Sequence, residues 1–104
     1  MKKTFKEIGG TSFHDTTINC SLSTLRKVLG EPEYSGNDGE GKINFEWEME
    51  TDSGDVFTVY DWKEYRSIKT PYETIEWHIG GMSKQITEQA KREIMETIHM
   101  INKK

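Results

Sequence analysis

The chain has 104 residues, the length of a single domain. Only 33% of them are apolar and 31% are charged, yet eleven aromatics (three Trp, four Tyr, four Phe) exceed what a disordered chain carries. The composition therefore predicts a thin core built on large rings. A net charge of −4 argues against a grip on duplex nucleic acid, which needs a clustered basic face. The lone Cys20 rules out an internal disulfide and fits a reducing compartment. Residues 1–6 carry no apolar run behind their charges, and no stretch approaches the ~20 apolar residues of a membrane span, so a cytoplasmic location is expected.

In chain order, residues 11–20 are rich in Thr and follow Gly9-Gly10, which reads as a polar edge strand. Ser21 can cap a short helix whose stripe is Leu22, Leu25, Val28 and Leu29, and Gly30 and Pro32 stop it. Residues 35–41 read as a loop without an apolar anchor. Ile43, Phe45, Trp47 and Met49 alternate with Asn44, Glu46, Glu48 and Glu50, the period of a half-buried strand. Turn chemistry at 52–55 leads into a second strand from Val56 to Trp62, so the two should form a hairpin. A two-residue turn puts Tyr60 and Trp62 on the face of Trp47, and a three-residue turn puts Phe57 and Val59 there. The first is preferred, because it groups three rings.

After a polar connection over 63–72, Ile75, Trp77 and Ile79 mark a further strand, which Gly80-Gly81 should break. Ile86, Ala90, Ile94, Ile98 and Ile101 have helical spacing from Ser83 onward, with Glu88 and Arg92 paired outside. The expected fold is α+β: an antiparallel sheet of about four strands and two helices in the order β-α-β-β-β-α, with both helices on one face.

Four segments carry a resemblance: Leu29-Gly30-Glu31-Pro32, Glu46-Trp47, Val59-Tyr60-Asp61-Trp62-Lys63, and Glu76-Trp77-His78-Ile79-Gly80-Gly81. Together they resemble a family of small bacteriophage-encoded accessory proteins over about residues 16–100. The resemblance implies a phage origin, hence action in the host cytoplasm and antagonism of host defence.

The residues themselves suggest two modes of binding. Gly80-Gly81, followed by Ser83 and Lys84 at a helix start, could place backbone N–H groups and a positive dipole end toward an anion. An ordinary strand-to-helix turn with a Ser cap explains the same residues. Trp47, Tyr60, Trp62 and Trp77 could stack on a nucleobase, or simply fill the core. Lys63, Arg66 and His78 could add phosphate contacts, or be ordinary surface residues. Glu46, Glu48 and Glu50 form an acidic row at a spacing of ~6.6–6.8 Å, comparable with nucleic-acid phosphates, or merely a solvated face.

His14, His78, His99 and Cys20 lack paired metal-ligand spacing, His14-Asp15 has no nucleophile placed beside it, and a Cys20/His78 dyad competes with an ordinary inert cysteine, so neither a metal, a cofactor nor an enzymatic activity is expected. The leading expectation is a binding protein that sequesters a small nucleotide-type signal. The rival is a protein–protein inhibitor of a host nuclease or defence complex, acting through the acidic hairpin. Lean composition and the stripe of the last helix, extended by Met95 and Ile101, suggest a homodimer through that helix or a sheet edge.

Overall fold

A computed structural model describes residues 1–35, 44–62 and 70–103. Its elements are β1 (Lys2–Lys3), β2 (Ser12–Ser21), α1 (Leu22–Leu29), β3 (Tyr34–Ser35), β4 (Phe45–Glu50), β5 (Val56–Asp61), β6 (Thr74–Gly81) and α2 (Lys84–Asn102). The fold is α+β, and the described residues form the two expected helices and an antiparallel sheet of six strands rather than four. The additions, β1 and β3, are two residues each and pair with opposite ends of the same edge of β4. Strands β4, β5 and β6 form a meander, and β6 then pairs with β2, so the order is β1/β3-β4-β5-β6-β2.

The caps lie where the sequence puts them. Ser21 Oγ accepts from Thr24 N at 3.1 Å, and Gly30 closes α1 at φ 85°, its N–H bonded to Arg26 O. Ser83 Oγ accepts from Ile86 N at 3.3 Å to start α2. Glu88 pairs with Lys84 at 3.4 Å, one turn before the expected Arg92.

Both helices pack on one face of the sheet. That face carries Trp47, Met49, Phe57, Val59, Ile75, Trp77, Ile79 and Ile18, all buried against Leu22, Leu25, Leu29, Ala90 and Ile94 of the helices. Val28 and Ile98 pack at its margin. Trp47 and Trp77 meet edge to face at 5.4 Å, and each indole N–H is satisfied by a carbonyl, Gly30 O at 2.8 Å and Cys20 O at 2.9 Å.

Two expectations need correction. The hairpin register places Val59 opposite Trp47 and Phe57 opposite Met49, so Tyr60 and Trp62 do not share the face of Trp47. The connection between Glu50 and Val56 is five residues long, an odd number like the three-residue alternative. Buried Thr51 organises it: its hydroxyl accepts from Ser53 N and Asp55 N, and its backbone N–H donates to Asp55 O. The second correction concerns Gly80 and Gly81, which end β6 rather than breaking it. Among the described residues the glycines with positive φ are Gly10, Gly30 and Gly54. At 80 and 81 glycine supplies room instead. A Cβ on Gly80 would lie 2.7 Å from Thr58 Oγ1, and one on Gly81 would lie 2.9 Å from Thr87 Cγ2 of α2.

Candidate functional site

The sheet face opposite α1 and α2 is where the described residues present chemistry. Strand alternation sends every second residue there, and the register aligns them into rows. One row runs Glu46, Tyr60, His78, Thr17; the next runs Glu48, Thr58, Gly80, Phe13. Phe13 lies over His78, with ring centroids 4.2 Å apart and an interplanar angle of 16°. Tyr60 approaches the other side of His78 at 5.7 Å, and Trp62 stands at 80° to Tyr60 with centroids 6.2 Å apart. These four side chains line a hollow of about 310 Å³. Phe13 and Trp62 each keep 39% of their surface exposed, while Tyr60 and His78 are half-buried.

Carboxylates border the hollow. Glu46 is the cross-strand neighbour of Tyr60, and its charge, after burial, raises the Tyr60 hydroxyl above its ordinary pKa. Burial pushes the Glu46 carboxyl itself up, and the neighbouring charges of Glu48 and Glu33 add to this. Glu76 Oε1 lies 3.8 Å from His78 Nε2. The acidic row does not continue evenly: buried Glu50 accepts from Thr4 Oγ1 at 2.7 Å and faces Lys2 and Lys6 at 3.7 Å each, interactions that hold its carboxyl below the usual range.

The four rings named from the sequence are thus divided by the sheet. Trp47 and Trp77 are fully buried on the helix side, and Tyr60 and Trp62 meet His78 on the open side. Phe13 is the residue that sequence reading missed; its signal was a large ring in an otherwise polar, Thr-rich strand. Gly80 and Gly81 are buried, Ser83 caps α2, and Lys84 donates to His14 O at 3.0 Å beside its ion pair with Glu88. Ser83 and Lys84 are engaged at the start of α2 and do not converge with the open rings, whereas Gly80 lies in the row of Phe13, where a Cβ would come within 3.5 Å of Tyr60 Cε1. Lys63 and Arg66 lie outside the described residues.

Cys20 and His78 point to opposite faces: Cys20 packs at the helix-side core, where burial pushes its thiol up to about 11. Among the described residues no group of three His, Cys, Asp or Glu side chains is placed to hold a metal ion, and no helix is long and apolar enough to cross a membrane. No family model, no curated protein and no solved structure matches this chain.

Proposed function

We propose that the chain is a non-catalytic binding protein that docks a protein partner on the open face of its sheet. The observation that carries this reading is the pair Phe13 and Trp62, two large rings held partly exposed around a hollow and bordered by carboxylates. Exposed apolar surface of this kind, rimmed by polar groups, marks interaction sites. With the resemblance to small phage accessory proteins, the partner class is a component of host defence, met in the host cytoplasm. The protein-inhibitor alternative therefore has more support than sequestration of a nucleotide. Open rings suit a base, but the described groups beside them are Glu46, Glu48 and Glu76, while Ser83 and Lys84 are occupied at the start of α2. A homodimer through α2, where Met95 stays exposed, is a separate proposal that sedimentation at micromolar concentration decides.

Site-specific photocrosslinking tests the docking face. A photoreactive phenylalanine analogue at position 13 should trap a partner in cells under phage attack, and the same group at Arg92 should not. In a phage growth assay on a defended host, Trp62→Ala should remove protection and Lys84→Glu should leave it intact. The opposite pattern would return the function to the start of α2.

A further inference from the structure

We infer that the hollow between Phe13, Tyr60, Trp62 and His78 receives a cationic side chain, an arginine, from a basic segment of the protein partner. This rests on the open-face reading above and names its occupant.

The walls are the first support. Tyr60 and Trp62 stand nearly perpendicular, 80° apart, so a planar cation lying against one ring meets the edge or face of the other. Aromatic faces attract cations through their quadrupole, and guanidinium adds flat stacking that an ammonium lacks. A hollow of about 310 Å³ is large enough for that group with part of its aliphatic stem.

Charge is the second support, and it is independent of the rings. Glu46 borders Tyr60 directly, Glu48 lies in the adjacent row, and Glu76 lies beside His78. Burial, and after it repulsion from Glu48 and Glu33, raises the Glu46 carboxyl, and a cation seated beside these three carboxylates would relieve that repulsion. The lysines near the strand, Lys2 and Lys6, are drawn to Glu50 at the far end of β4, and Lys3 to Glu33. Within the described residues no ion pair joins Glu46 or Glu48 to a cation. Rings alone would suit many occupants; rings flanked by carboxylates select a positive one.

The test uses the whole chain and four probes: an arginine nonapeptide, its lysine and glutamate counterparts, and ATP, titrated by calorimetry and by Trp fluorescence. The arginine peptide should bind, more tightly than lysine, and should change the fluorescence. Trp62→Ala should weaken it about tenfold or more, and Glu46→Gln with Glu48→Gln should do the same. A control pair on α2, Glu88→Gln with Glu96→Gln, should leave the affinity unchanged, which separates a seated side chain from diffuse attraction to an acidic protein. ATP or the glutamate peptide binding in a manner lost with Trp62→Ala would overturn the cationic occupant while keeping the face as a binding surface. Arginine-peptide affinity indifferent to every open-face variant would overturn the inference, and crosslinking at position 13 would then decide the docking face on its own.

Discussion

Asp61 ends β5 with no exposed surface, and its carboxyl group takes three hydrogen bonds: from Asn44 N at 2.8 Å, Asn44 Nδ2 at 2.6 Å and Phe45 N at 2.8 Å. It fastens the entry of β4 to the exit of β5. Asp61→Ala would strand two backbone donors in the interior, so a loss of about 2–4 kcal/mol is expected in denaturant titration. Cys20 offers a chemical check on burial. With its thiol near 11, the folded chain at pH 8 should hold roughly a hundredfold fewer thiolates than an ordinary cysteine would. Reaction with a disulfide reagent should therefore be slow until urea unfolds the protein. Glu46 gives a pH signature. Its folded pKa is raised, so folding favours the protonated form; stability is lost as pH rises from the unfolded carboxylate value through the folded one. Glu46→Gln should thus stabilise the fold at pH 7, and that gain should vanish in acid. A Gln variant less stable than the parent at pH 7 would contradict this account. None of these environments was legible in the sequence, since Asp61 and Cys20 are set by partners 16 to 57 residues away.

Gly81 is the contact point between β6 and α2. A Cβ there would meet Thr87 Cγ2 at 2.9 Å, while the Thr87 hydroxyl bonds Thr16 Oγ1 at 2.8 Å and Lys84 O at 2.9 Å. Gly81→Ala should cost about 1–3 kcal/mol by forcing the helix outward. Thr87→Ser in the same chain should restore part of the loss, because it removes the clashing methyl and keeps the hydroxyl. Ile94→Ala, at a fully buried position of the same helix, should cost ~2–5 kcal/mol. The helices were readable because caps and apolar stripes are local signals: Leu22, Leu25, Leu29, Ala90 and Ile94 of the two stripes are buried, with Val28, Ile86 and Ile98 only partly so. The hairpin register was not readable, because it depends on one Thr51 hydroxyl gathering a five-residue turn. Two-residue strands such as β1 and β3 are too short for any periodicity to show.

One covered face and one open face summarise the whole molecule, and the sequence announced both without saying which ring belonged to which. Tyr60, Trp62 and His78 were in view as candidates; Phe13 joins them through the irregular stretch of β2 between Phe13 and Thr17, where Asp15 takes φ 64°. Such a kink leaves no mark on strand alternation. Hydrogen exchange should rank the sheet by position: β5 and β6 are paired on both sides and should exchange slowest, and the short β1 and β3 fastest. Strand β2 has a different consequence, which concerns synthesis. It leaves the ribosome early, yet its partners lie in β6: Ser12 waits for Gly81 and Ser21 for Thr74. The meander β4-β5-β6 can assemble from neighbours, whereas β2 must remain single until most of the domain has emerged. A strand in that position is exposed to every other nascent chain nearby. Its run of Ser, His, Asp, Thr and Asn suits that interval, keeping the segment hydrated until the sheet edge it completes exists.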